Sequence, residues 1–379
     1  MSFELTDEQQ LTRTSVREFA EAKVAPLAAE IDREHRPPLE LIPELGEMGL
    51  LGMLIPSKYG GSEMDSVSYC IAIEELSRCC ATTGVLVEAH SSLCSWPIVH
   101  FGTEEQKEKY LPGLASGETM GAFGLTEPNA GSDAGNTATT ATREGDEFVL
   151  NGQKIFITNG GFAKTFVVFA RSTDAPGTKG VSAFIVDRDI EGFTVGEPEH
   201  KMGIRGSSTA TLMFNNARIP AKNLLGEEGQ GFPIAMKTLE GGRTGIAAQA
   251  LGIAQGAFEA AVKYAQERVQ FGKPIATLQA IQWMIADMAT DIEAGRLLVY
   301  AAADKEDRHE SITIPSSLAK LFCGEMATRV AGKAIQIHGG VGYTESYPVE
   351  RAYRDAKITE IYEGTNEIQR LVISRSFLS

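Results

Sequence analysis

Within Ile361–Arg370 (IYEGTNEIQR) one carboxylate, Glu363, stands between Tyr362 and Gly364, with Thr365 following. The preceding AYRDAKIT reads as a helix ending near Thr359, and Glu367 to Phe377 reads as the start of another. A carboxylate at the apex of such a break, beside a glycine that lets a ligand approach the backbone, is placed to act as a general base. The plainer alternative is a surface glutamate ahead of a helix capped by Thr365 or Asn366.

Other stretches carry binding chemistry. GAFGLTEPNAGSDAGN (121–136) combines glycines, Thr126, Ser132 and a turn-fixing proline, and such a loop presents N–H and hydroxyl donors to a polar ligand edge. In KIFITNGG (154–161) Phe156 and Thr158 fall on one strand face, where an aromatic plane beside a hydroxyl suits a flat heteroaromatic ring; the alternative is an ordinary core aromatic. RVQFGKP (268–274) places Arg268 near a helix end at Gly272-Lys273-Pro274, within reach of a pyrophosphate, or else simply at the surface. QIHGGVGY (336–343) ends a helix in a glycine pair that permits close backbone approach. No GxGxxG follows a strand and no GxxxxGK[ST] occurs, which argues against a nicotinamide Rossmann unit and a P-loop. His338 lacks a His or Cys partner at metal spacing and reads as structural.

The elements that must position these groups divide the chain into three parts. At 379 residues one core is too few, and two or three domains are expected. From Thr6 to about Gly121 the pattern is helical, opened by the capping signal Thr6-Asp7-Glu8-Gln9. Pro37-Pro38 interrupts it, LELIPELGEMGLLGM (39–53) reads as helix, PSKYGGSEMD as loop, and Val67–Cys80, Thr82–Phe101 and a short segment from Thr103 as helices. From Ala122 to about Gly231 β-branched and aromatic residues alternate with turn signals, Asn151-Gly152 and Asn159-Gly160 among them, which predicts a small antiparallel barrel or bent sandwich. From Phe232 onward long Ala-rich helices, roughly 232–270, 277–304, 315–339 and 348–377, suit a close-packed bundle. The expected domains are therefore 1–121, 122–231 and 232–379.

Composition limits the partners. With 35 basic and 50 acidic residues the net charge is -15, which disfavours nucleic acid and an anionic membrane surface. A phosphate must then be held by a few local cations. The five cysteines show neither a CxxC pair nor metal-ligand spacing, and reduced thiols of a cytosolic protein are the expectation. No signal or transit sequence and no apolar run of membrane-spanning length is present. A bacterial cytoplasmic protein is expected, or a mitochondrial-matrix one if the chain is a processed form.

Taken together and in this order, GLTEPNAGSD, KIFITNGG, RVQFGKP, QIHGGVGY, IYEGTNEIQR and the LEGGRTGIAAQALGIAQG stretch (239–256) resemble the acyl-CoA dehydrogenase family over essentially the whole chain, most closely its short-chain, butyryl-CoA branch. The resemblance implies an N-terminal α-helical domain, a middle antiparallel β-domain and a C-terminal four-helix bundle, with FAD between the last two and its tail reaching a neighbouring subunit. It implies a homotetramer, acyl-CoA as substrate and electron-transferring flavoprotein as acceptor. Leu125, Thr126, Phe156 and Thr158 would cradle the flavin ring. Arg268 and Gln279 would hold the pyrophosphate side, partly on the partner's FAD. Gln336, Gly339 and Gly340 would line the adenosine end, and Thr365 and Glu367 would complete the site. Ser132, Glu240, Arg243 and Gly364 match acyl-CoA contacts, and in an acidic chain a local donor such as Arg243 suits the polar groups of CoA.

On this resemblance Glu363 is the base, taking an α-proton while the β-hydride goes to flavin N5, to give a trans-2-enoyl-CoA. Some relatives carry the base at the position of Gly242, so Glu363 has no competitor there. Glu88, on the helix that floors the acyl pocket, departs from the small or apolar residue expected. Either it points to solvent or a partner helix, or it shapes a pocket for a branched, cyclic or polar acyl group. The arginine that glutaryl-CoA dehydrogenases use matches Gly84, which disfavours a dicarboxyl substrate. Dehydrogenation of a branched or cyclic acyl-CoA, an oxidase, and a non-catalytic CoA-binding scaffold remain as alternatives.

Overall fold

The computed structural model describes residues 4–378. Helices α1 (Asp7–Phe19), α2 (Ala28–Glu34), α3 (Ile42–Glu47), α4 (Ser66–Cys79), α5 (Ala81–Glu88), α6 (Trp96–Phe101) and α7 (Glu104–Ser116) make the N-terminal part. The predicted capping signal is real: Thr6 Oγ1 accepts from Gln9 N at 3.2 Å while Gln9 Oε1 accepts from Thr6 N at 3.1 Å. Residues 39–53 give only a 3₁₀ turn and the short α3 rather than a long helix, because Gly49, at φ +73°, ends the run in a turn. Between α5 and α6 the chain stays helical but widens into a π-turn over Ala89–Ser95.

The middle part holds β1 (Gly121–Gly124), β2 (Thr140–Glu144), β3 (Glu147–Ile157), β4 (Thr165–Arg171), β5 (Val181–Asp187), β6 (Phe193–Val195), β7 (Ala210–Pro220) and β8 (Leu224–Leu225). They form one eight-stranded sheet in the order β6-β7-β3-β2-β4-β5-β8, with β1 on β4. The sheet is mixed rather than purely antiparallel. β1 runs parallel to β4, and β2 meets β4 in parallel at Thr140–Arg171, because the long 125–139 segment leads from β1 without a hairpin. Alternation decides the burial of β4: Val167 and Phe169 face a core shared with α7, and Phe166, Val168 and Ala170 face a second core inside the sheet. Both faces are covered, which is why TFVVFA reads as a continuous apolar run.

Asn151-Gly152 is not a turn. It lies inside β3 at a register shift against β7, with Gly152 at φ +140°, so the dipeptide makes a β-bulge. The β2–β3 turn falls at Gly145, φ +64°. Asn159-Gly160 is a turn as expected, with Asn159 at φ +62°.

The C-terminal part contains α8 (Gly231–Glu267), the two-stranded hairpin β9 (Val269–Gln270) and β10 (Lys273–Pro274), α9 (Gln279–Asp307), α10 (Thr313–His338), α11 (Val349–Ala356) and α12 (Asn366–Leu378). Helix α8 thus ends before Arg268, and RVQFGKP is a hairpin rather than a helix end. Its 37 residues reach about 55 Å at the usual rise. The largest core joins α4 and α5 to α8, α9 and α10, so the N-terminal helices and the bundle share one interior. No helix among the described residues is long and apolar enough to cross a membrane.

Candidate active site

Glu363 sits where α10, α12, α8 and α5 converge. Two successive left-handed residues, Glu363 at φ +52° and Gly364 at φ +95°, turn the chain between the 3₁₀ turn Lys357–Glu360 and α12. Thr365 Oγ1 accepts from Ile368 N at 3.3 Å, so Thr365 does cap α12 as the plainer reading supposed. Glu363 is nevertheless no surface group: its Oε2 is shielded, and among the described residues no donor but the Glu88 carboxyl bears on it. Tyr362 anchors the turn by donating its hydroxyl to Gln249 Oε1 on α8, and Gln249 Nε2 in turn donates to Ala81 O at 3.0 Å.

Two glycines one turn apart on α8 make room for two carboxyls. A Cβ at Gly242 would lie 2.2 Å from Glu363 Oε2, and one at Gly245 would lie 2.8 Å from Glu88 Oε1. A side chain at 242 and the Glu363 carboxyl therefore exclude one another. Glu88 is 0 % exposed, which overturns the reading that it points to solvent. Ser92 Oγ donates to Glu88 Oε1 at 2.6 Å, an i+4 contact set up by the π-turn that follows Glu88. Glu88 Oε2, like the Tyr69 hydroxyl close by, has no partner other than the groups of this cluster.

The two carboxyls interact directly. Burial pushes Glu363 up to about 7, while the hydrogen bond from Glu88 and the charges of Lys320 and Arg243 hold it down. Burial and then the Glu363 charge push Glu88 well above the carboxylate range. With both cations bearing on Glu363, Glu88 is the partner that keeps its proton and Glu363 the one poised to accept one. Arg243 is 6 % exposed with an unpaired Nε, and burial lowers it from its ordinary value. Gly84 sits tight against α4, where a Cβ would meet Ser77 Oγ at 1.9 Å; an arginine has no room there.

The residues expected to cradle a flavin lie at the sheet. Ile155 N bonds Thr126 O at 2.9 Å, joining the 121–136 loop to β3. Beneath it lies a buried pair that the sequence reading missed. Lys154 Nζ donates to Glu127 Oε1 at 2.6 Å and to Leu125 O at 3.1 Å, and Glu127 accepts from Ala138 N and Thr139 N at 2.7 and 3.1 Å. Simple strand alternation does not place Phe156 with Thr158. Phe156 occupies a second irregularity of β3 at φ +59° and is 61 % exposed, and Thr158 falls in the following turn, half-buried.

The remaining residues group elsewhere. Arg268 and Gln279 bracket the β9–β10 hairpin, and Gln336, Gly339 and Gly340 end α10, all exposed. Among the described residues the side chains of Arg268, Gln279 and Gln336 make no hydrogen bond, and no hydrogen bond joins this group to the sheet. Gly364 lies in the Glu363 turn, and Glu367 is exposed in the first turn of α12. Glu240, one turn before Arg243, is held by Thr313 Oγ1 at 2.5 Å and Lys237 Nζ at 2.8 Å, while Ser132 stands exposed on its loop. An exposed aromatic in a left-handed bulge, and a separate set of unspent amide and guanidinium donors, fit a cofactor with a flat ring at one end and a diphosphate at the other. His338 is structural, stacked on Tyr264 with Nδ1 2.8 Å from Ala334 O.

Comparison with known proteins agrees with this arrangement. Models of the acyl-CoA dehydrogenase N-terminal, middle and C-terminal domains match residues 6–118, 122–217 and 229–378. The chain is 55 % identical to the short-chain specific acyl-CoA dehydrogenase of Clostridium acetobutylicum, covering 99 % of each. Its structure is similar to that of butyryl-CoA dehydrogenase from Megasphaera elsdenii, with a TM-score of 0.98 and 49 % identity over 100 % of both chains. It matches equally, at TM-score 0.98 and 51 % identity over 100 % of both, a chain solved in work on the electron transferring flavoprotein of Acidaminococcus fermentans and flavin-based electron bifurcation. Three domain matches in the observed order, with near-half identity over the full length, show that the chain belongs to the acyl-CoA dehydrogenase family of FAD-dependent oxidoreductases.

Proposed function

We propose that this enzyme dehydrogenates a short-chain acyl-CoA to the trans-2-enoyl-CoA and passes the electrons to electron-transferring flavoprotein. The carrying observation is the Glu363 carboxyl, confined by Gly242 and Glu88 and raised by burial to about 7. An α-proton of a thioester is too weakly acidic for an ordinary carboxylate in water. A base near working pH, in a site that excludes water, meets that need. Glu363 takes the α-proton at its carboxylate. Glu88 stays protonated beside it, and Arg243 supplies a local cation for the CoA portion. FAD, when bound, supplies the acceptor for the β-hydride.

Leu125, Thr126, Phe156 and Thr158 would hold its ring, Arg268 and Gln279 the diphosphate, Gln336, Gly339 and Gly340 the adenosine end, and Thr365 and Glu367 the rest. Ser132, Glu240, Arg243 and Gly364 would contact acyl-CoA. We divide the chain into domains at 1–121, 122–231 and 232–379, a division supported by the change from helix to strand near Gly121 and back to helix near Gly231. A homotetramer is supported by exposed apolar side chains of the C-terminal part, among them Phe271 at 90 % on the β9–β10 hairpin and Trp283 at 61 % on α9. A cytoplasmic place is supported by bacterial relatives and by five unpaired cysteines. The test is the visible spectrum of the FAD-loaded protein without oxygen, before and after butyryl-CoA. Bleaching is expected; an unbleached spectrum with full FAD content refutes the short-chain substrate.

A further inference from the structure

Lys320 is an ammonium in the interior of the bundle. It lies on α10, is 0 % exposed, and ranks with the largest fully buried side chains. Its Nζ donates to Gly364 O at 2.7 Å, with Asn366 Oδ1 farther off at 3.4 Å. Gln369 Nε2, on the first turns of α12, donates to the same Gly364 O at 2.9 Å and approaches Glu363 O at 3.4 Å. The left-handed Glu363–Gly364 turn is thus gripped from two helices at the carbonyl next to the base. Such a turn persists only where its surroundings over-determine it.

Holding a carbonyl needs a donor but no charge, and a buried ammonium is a poor choice for that task alone. The charge has one obvious beneficiary. The ionisable groups facing this cluster are Glu363 and Tyr362 beside it, Glu88 from α5, Tyr69 from α4, Arg243 from α8, and Glu360 and Glu367 on either side of the turn. Burial lowers Lys320 to about 8 and the Glu363 charge raises it, so near neutral pH it remains a cation.

Resting on the reading of Glu363 as base, we propose that Lys320 is a positioning residue that fixes the Glu363 turn through the Gly364 carbonyl and, by its charge, keeps the base in its carboxylate form. The two tasks separate by substitution. Lys320→Gln keeps a donor and removes the charge. Gln369→Leu removes one of the two donors to Gly364 and keeps the charge.

The experiment uses the FAD-loaded holoenzyme and an infrared titration of the Glu363 carboxyl band, assigned by its loss in Glu363→Gln. In Lys320→Gln the midpoint moves up by roughly one to three pH units, as loss of an adjacent opposite charge dictates. In Gln369→Leu the midpoint stays within about half a unit, well inside that span, and turnover with butyryl-CoA falls. An unmoved midpoint in folded Lys320→Gln overturns the proposal. Should that variant not fold, Lys320→Arg keeps the charge: a midpoint within about half a unit of wild type supports the proposal, and a rise of about one unit overturns it. The infrared midpoint needs no turnover, so failure of butyryl-CoA to bleach wild type would refute the substrate reading without deciding the role of Lys320.

Discussion

Replacing Glu88 with leucine tests the state of the carboxyl pair. Leucine keeps the pocket apolar and filled but offers no hydrogen. In the native site Ser92 occupies Glu88 Oε1 at 2.6 Å, which leaves Oε2 to carry the proton toward Glu363. A hydrogen bond to a charged group is worth about 1.5–3 kcal/mol, and 1.36 kcal/mol corresponds to one pH unit. Losing it should raise the Glu363 titration by roughly one to two units above its native value. Because Glu363 must be ionised to act, the acid limb of the kcat/KM profile should move to higher pH by that amount. Activity near pH 7 should drop by about tenfold or more, and recover in alkaline buffer. Glu88→Gln, which retains an N–H donor, should shift the limb less. The assay is the pH dependence of kcat/KM with butyryl-CoA, with FAD content and thermal stability as controls. If the limb instead moves to lower pH and activity at neutral pH rises, Glu88 is ionised in the native enzyme and repels Glu363, and the assignment of the shared proton is refuted.

Glu363→Gln should retain FAD and CoA binding but lose about 10²–10⁴ in the rate of flavin reduction, read by anaerobic stopped flow; normal bleaching would remove Glu363 from the base role. Gly242→Ala places a Cβ 2.2 Å from Glu363 Oε2, so the base must shift, and kcat should fall by about 10² with FAD content unchanged. Lys154→Met strands Glu127 beneath the loop carrying Leu125 and Thr126 and should cost about 3–5 kcal/mol, measured as a fall in denaturant midpoint together with weaker FAD retention. Gly152→Ala forces φ +140° on an L-residue, 2.6 Å from Thr139 Oγ1, and should lower stability by about 1–3 kcal/mol without changing the pH profile.

The helix–sheet–helix order was legible because each part carries its own pattern: a 3.6 period on the Ala-rich helices and a period of 2 on strands such as ATLMFNNARIP. The Glu363 break was legible too, since Gly364 and Thr365 mark the end of one helix and the cap of the next within ten residues. Local chemistry was ambiguous where one dipeptide serves two backbone shapes. Asn151-Gly152 suits a turn and a bulge alike, and only the pairing of β3 with β7 selects the bulge. Strand direction was hidden for the same reason: β1 lies parallel to β4 through a contact that no residue in either strand specifies.

The electrostatics of the base belonged wholly to tertiary structure. Sequence placed Glu88 on a pocket helix but left its direction open, and it gave no sign that Lys320 in SSLAKLFCG points at Gly364 beyond one cation on an apolar helix face. Glu88, Arg243 and Lys320 come from three separate helices, and Glu363 from the turn that leads into α12. Their mutual influence falls off steeply with distance and is strengthened by burial, and both quantities exist only once α5, α8, α10 and α12 have packed together. The sequence by itself singled out Glu363 as the carboxylate at a break between helices; the packing of helices decided that it lies against Glu88 and a buried cation.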